Sequence, residues 1–199
     1  MKIIILNAAP SAGKDTIAEA AVQKQPNSVK EQFKEPLYGI CAAIYGMDEK
    51  TFREIATSTS LKETPFTELY GKSPRQVMIE VSEDVLKPFY GKSYFGDLLR
   101  DRLLGYKVDK YNVEYIFISD GGFVEEVEPL IETFGKENVM IAKVLKEGCY
   151  FQSNNRFKND SRRYLSDLDE SLKEIEFELD NNGTVHQTVE TLFKKVREL

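Results

Sequence analysis

The stretch Lys2-Ile3-Ile4-Ile5-Leu6, followed by Ala8-Ala9-Pro10-Ser11-Ala12-Gly13-Lys14-Asp15-Thr16, constrains the fold more than any other part of this chain. An unbroken aliphatic, β-branched run reads as a strand buried on both faces, the kind found in parallel sheets. Residues Lys14 to Gln23 then carry Ile17, Ala18, Ala21 and Val22 on one helical face. A buried strand that enters a helix through a Gly-Lys turn can wrap a polyphosphate with backbone N–H groups and a helix N-terminus. The pattern G-x-x-x-x-G-K-[ST] is met with Ala8 in first place and Gly13 and Lys14 at the right offset, while Asp15 takes the Ser/Thr place and Thr16 follows. Gly13 lets the backbone come close and Lys14 reaches the transferred phosphate as a point charge. Ser11, Ala12, Gly13, Lys14, Asp15 and Thr16 are therefore the expected nucleotide-binding residues; the alternative is an ordinary strand–turn–helix with an incidental Gly-Lys.

Later runs extend the sheet. Val113 to Ser119 and Asn138 to Leu145 read as buried strands, Glu174 to Leu179 as an alternating edge strand, and Ser28 to Phe33 as a weaker candidate. Ser73-Pro74-Arg75-Gln76 is a helix start, with Ser73 as N-cap, Pro74 at N1 and Gln76 completing a capping box. Val77, Val81 and Val85 follow at every fourth position as its apolar stripe. A last helix begins at Thr184 and buries Val189, Leu192 and Val196, leaving His186 off the stripe on the surface. Strands alternating with helices indicate one α/β domain over residues 1–199, with a helical insertion at about 36–105. The polar stretch at 148–163 reads as a mobile loop.

Composition narrows the chemistry. With 27 basic and 33 acidic side chains the formal charge is −6, which argues against holding long nucleic acid, since phosphate backbones need positive fields. No run approaches the roughly 18 apolar residues of a membrane span, and the N-terminus lacks a signal-peptide layout. Cys41 and Cys149 have no metal-ligand spacing and read as reduced thiols of a cytoplasmic protein. With His186 the one histidine, imidazole-based catalysis and histidine-rich metal sites have little to work with.

Gly13-Lys14-Asp15-Thr16 resembles the motif of the deoxynucleoside monophosphate kinases of tailed bacteriophages. Further elements agree in order: Phe33-Lys34-Glu35-Pro36-Leu37, Ser73-Pro74-Arg75-Gln76, Ser119-Asp120-Gly121-Gly122-Phe123, Asp160-Ser161-Arg162 and Asn182-Gly183-Thr184. The likeness runs from Lys2 to about Val196. It implies an α/β P-loop kinase core: a parallel five-stranded sheet flanked by helices, with a helical substrate-binding insertion and a lid loop at about 148–163. It also implies transfer of the γ-phosphoryl of ATP, with Mg²⁺, to a deoxynucleoside 5′-monophosphate in the cytoplasm, the host's if the chain is phage-encoded. Many relatives carry Arg before the Phe of the Asp-x-x-Phe element, where this chain has Gly122. The expected partners are small molecules, with no polymeric nucleic acid and no membrane; a homodimer stays open.

Phosphoryl transfer to an already ionised phosphate oxygen needs positioning and charge neutralisation but no general base. Arg75 is the expected fork on the acceptor phosphate, and Arg156, Arg162 and Arg163 the lid charges over the γ-phosphate; the alternatives are a solvated helix start and a surface basic patch. Asp15 and Asp120 are the candidate Mg²⁺ carboxylates, directly or through water, and Asp120 could instead touch substrate or cap a turn. Phe33 and Lys34 are candidates for the acceptor side, Phe33 as a stacking ring or as core. Asn182 and Gly183 either border the adenine or form a turn. Two other readings remain: a kinase of the same fold for another phosphorylated metabolite, of dephospho-coenzyme A or phosphomevalonate type, and a non-catalytic nucleotide-binding regulator.

Overall fold

In the computed structural model residues 1–108, 112–151 and 163–198 are described. Strands β1 (Lys2–Ala8), β2 (Ser28–Glu31), β3 (Tyr115–Gly121), β4 (Val139–Leu145) and β5 (Glu176–Asp180) form one five-stranded sheet in the order β2-β3-β1-β4-β5. Every neighbouring pair is parallel. The aliphatic run at the N-terminus is the central strand, where both faces must be dry: Ile3, Ile4, Ile5 and Leu6 are all fully buried. Each such side chain contributes roughly 1.5–3 kcal/mol of transfer free energy. β5 alternates and lies at the edge, as its pattern implies, though it begins at Glu176 because Glu170–Ile175 coils into a 3₁₀ turn. β2, the shortest strand, forms the other edge.

Helices α1 (Lys14–Lys24) and α9 (Val185–Glu198) cover one face of the sheet. There Ile4, Leu6, Phe117 and Met140 meet Ile17 and Ala21 of α1 and Leu192 and Phe193 of α9 in one apolar cluster. His186 is exposed, as its place off the α9 stripe predicts. Alternation turns Ile3 and Ile5 to the opposite face. Helix α7 (Val124–Phe134) buries Val127 and Leu130, and the one-turn α8 (Leu165–Leu168) buries Leu165. Close approach explains Gly96: a Cβ there would lie 2.4 Å from the Glu126 carbonyl oxygen of α7.

The described chain divides into two compact units, Met1–Phe33 with Gly96–Leu199, and Lys34–Phe95. Helix α6 (Tyr94–Val108) begins at the end of the second unit and has most of its length in the sheet-bearing one. Within the second unit lie α2 (Glu35–Tyr45), α3 (Glu49–Thr57), α4 (Pro74–Glu80) and the short α5 (Lys87–Tyr90). The capping box forms as expected: Gln76 N–H donates to Ser73 Oγ at 3.3 Å and Ser73 N–H to Gln76 Oε1 at 2.9 Å. The valine stripe does not hold. After Val77 and Val81 the chain widens into a π-helical stretch, Val81–Leu86, which leaves Val85 46% exposed and buries Leu86 at 7%. A wider turn shifts the inward position by one residue.

A candidate phosphate-binding site at the end of β1

The turn between β1 and α1 passes twice through left-handed backbone, at Ser11 (φ 66°) and Gly13 (φ 91°). Such alternation builds the concave runs of N–H groups that hold anions. Ser11, lacking glycine's freedom, gives up about 1–2 kcal/mol to stay there. Gly13 is the N-cap of α1, whose first residue is Lys14. Lys14 Nζ donates to the carbonyl oxygens of Ala8 at 2.7 Å and Ala9 at 3.2 Å, so the ammonium lies against its own loop.

A residue far along the chain supports this turn. Asn181, buried after β5, donates from Nδ2 to the Ala12 carbonyl at 2.8 Å and accepts from Thr188 Oγ1 at 2.9 Å. A Cβ on Gly13 would lie 2.8 Å from Asn181 Nδ2, so glycine is required both for φ and for space. The sequence pointed to the neighbours instead. Asn182 accepts the Glu147 N–H at 2.8 Å and Gly183 precedes Thr184, whose N–H donates to Gln187 Oε1 at 3.0 Å in a helix cap. A turn accounts for both residues' backbone.

Asp15 sits in the first turn of α1. Its Oδ1 accepts from Ser119 Oγ at 2.8 Å and Gln32 Nε2 at 3.2 Å, and Lys30 Nζ lies 2.8 Å away. Gln32 also donates to Ser119 Oγ at 3.0 Å. For Lys30, burial works against the charge, but hydrogen bonds and attraction from Asp15 and Glu19 outweigh it and raise the pKa above the usual lysine value. Asp120 Oδ1 accepts the Phe33 N–H at 2.9 Å, joining the ends of β3 and β2. Phe33 itself is a core side chain, 2% exposed, and presents no open stacking face.

Asn7, fully buried at the end of β1, donates to the carbonyls of Gly121 at 3.1 Å and Arg163 at 3.2 Å and accepts the Leu165 N–H at 2.8 Å. It brings Arg163 to the strand ends where Lys14 and Asp120 stand. Arg156 and Arg162 lie outside the described residues, as does most of the expected lid. Lys34 and Arg75 belong to the second unit, where Lys34 Nζ stands 6.0 Å from the Tyr38 ring centroid and Arg75 Nη1 lies 3.3 Å from Glu63 Oε1.

The residues that support the turn and the neighbouring strand ends, Asn7, Lys30, Gln32, Ser119 and Asn181, lie outside the Gly13-Lys14 motif. Asn7 and Ser119 stand at the carboxyl ends of buried strands, a signal that could have singled them out. Nothing local marks Lys30 or Asn181. Among the described residues no group of three or more His, Cys, Asp or Glu is arranged to hold a metal ion. Mg²⁺ bound beside phosphates needs only one or two protein carboxylates and keeps several waters; Asp15 in the first turn of α1 and Asp120 near the end of β3 have the donor chemistry that lesser demand asks for. No described helix is long and apolar enough to cross a membrane. No protein-family model matches this chain, and no curated protein matches it.

Proposed function

We propose that this chain transfers the γ-phosphoryl group of MgATP to a deoxynucleoside 5′-monophosphate. The observation that carries the reading is the turn after β1: left-handed Gly13 at the N-terminus of α1, Lys14 directly behind it, at the carboxyl end of the central strand of an all-parallel sheet. Open α/β sheets bind ligands at that edge, and helix N-termini there favour phosphate. The resemblance of Gly13-Lys14-Asp15-Thr16 and its companion elements to phage nucleotide kinases supplies the acceptor class. ATP supplies the group transferred, and Mg²⁺ offsets its charge.

In this reading the loop N–H groups, with Ser11 and Thr16 at its rim, hold the donor phosphates, and Lys14 swings from the Ala8 and Ala9 carbonyls onto them. Asp15 and Asp120 would hold Mg²⁺, directly or through water, and the ion would offset charge on the phosphates. Arg75 binds the acceptor phosphate, and Arg156, Arg162 and Arg163 neutralise charge as the bond between phosphorus and the leaving oxygen breaks. The acceptor is an ionised phosphate oxygen, so no proton has to be removed. That accords with a chain whose one histidine is exposed on α9.

The test is a coupled ADP-release assay with ATP, Mg²⁺ and each deoxynucleoside monophosphate in turn. Release that depends on one or more of these acceptors is expected. Release with dephospho-coenzyme A or phosphomevalonate alone would reassign the acceptor, and ATP binding with no release for any acceptor would make the protein a nucleotide-binding regulator.

A further inference from the structure

Asp15 creates an electrostatic problem for a phosphate loop. Its carboxylate stands immediately after Lys14 in the first turn of α1, where the common pattern has a hydroxyl. A negative charge there competes with an anionic ligand for the positive end of the helix. Glu19 repeats the charge four residues on, and like charges at that spacing repel. The edge strand β2 brings a cation to both: Lys30 Nζ lies 2.8 Å from Asp15 Oδ1 and 2.8 Å from Glu19 Oε1. Gln32 from the end of β2 and Ser119 from β3 donate to the same Asp15 oxygen, fixing the carboxylate where the ammonium meets it.

We infer that Lys30 is the counter-charge that makes Asp15 compatible with polyphosphate binding, so that it sets donor affinity by cancelling Asp15. The inference rests on the reading of the turn as a phosphate cradle. Lys30 is here a positioning residue: its ammonium faces carboxylates of α1, and its effect on the ligand passes through Asp15. The pair is partly solvated, with side-chain exposures of 25% and 57%, so its influence is moderate and weakens with salt.

A double-mutant cycle tests this. Calorimetry measures binding of ATP and of inorganic tripolyphosphate in EDTA, where no metal intervenes, to the wild-type chain, Lys30→Met, Asp15→Asn, the double variant and Lys30→Arg. Circular dichroism and melting establish that each variant is folded. Lys30→Met is expected to weaken both ligands about three- to fivefold, to have no measurable effect once Asp15 is Asn, and to be rescued by Lys30→Arg. An equal loss in both backgrounds would show Lys30 acting on the ligand directly and would overturn the inference, as would no loss at all; in either case the cradle stands. If the wild-type chain binds neither ATP nor tripolyphosphate, the cradle reading falls and this inference with it.

Discussion

At the scale of single residues, the site is a set of short polar contacts that hold one strained turn. Lys14 is a surface-turn side chain whose ammonium bonds the Ala8 and Ala9 carbonyls of its own loop, groups that water can also satisfy. Lys14→Ala is expected to lower turnover by about a hundredfold or more while shifting the urea midpoint little; retained activity in the ADP-release assay would remove Lys14 from the mechanism. Asn181 is the opposite case. Replacing it with Leu strips a buried donor from the Ala12 carbonyl and removes the shorter of the two acceptors of the Thr188 hydroxyl, which keeps only the 3.3 Å contact to the Asp180 carbonyl, at a cost of about 1–3 kcal/mol. On the proposed reading, Asn181→Leu, assayed well below its melting temperature, should raise the KM for ATP more than it lowers kcat, since it loosens the turn proposed to hold the donor. A fall in kcat alone would assign Asn181 elsewhere.

At the scale of elements, the strongest signals came from runs whose burial and period agree. β1 reads correctly because every residue from Ile3 to Leu6 is apolar and both faces are covered, and α9 because Val189, Leu192 and Val196 keep helical spacing and are all buried. The stretch after Ser73 is different. Val77, Val81 and Val85 suit a regular helix, yet the backbone takes a wider turn at Val81–Leu86 and buries Leu86 in place of Val85. No residue in that stretch announces the wide turn, since its hydrogen bonds depend on what the helix packs against within its own unit. Truncation checks the shift: Leu86→Ala should destabilise by about 2–3 kcal/mol and Val85→Ala by less than about 0.5 kcal/mol, read from urea unfolding. The reverse order would restore the uninterrupted stripe.

At the scale of the whole molecule, the net charge of −6 describes the surface and not the site, where Lys14, Lys30 and Arg163 belong to one unit. Stability carries a pH signature from the core of the other unit. Burial pushes the Cys41 thiol from 9.0 up to about 12, so the native state favours the protonated thiol. Its contribution is complete below the unfolded value and is lost as pH rises through the window between the two. The urea midpoint should therefore fall between about pH 9 and about pH 12, and fall less in Cys41→Ala; identical slopes would show that the thiol plays no part. The sequence by itself determined the strand, the turn after it and the first helix, because their causes lie within a few consecutive residues: an apolar run, a glycine that tolerates positive φ, a helical run of apolar positions. Only the tertiary structure decided the strand order, the wide turn and the residues that brace the loop. Asn181 reaches Ala12 across 169 residues and Ser119 reaches Asp15 across 104, and such pairings arise only when a parallel sheet gathers the ends of its strands at one edge.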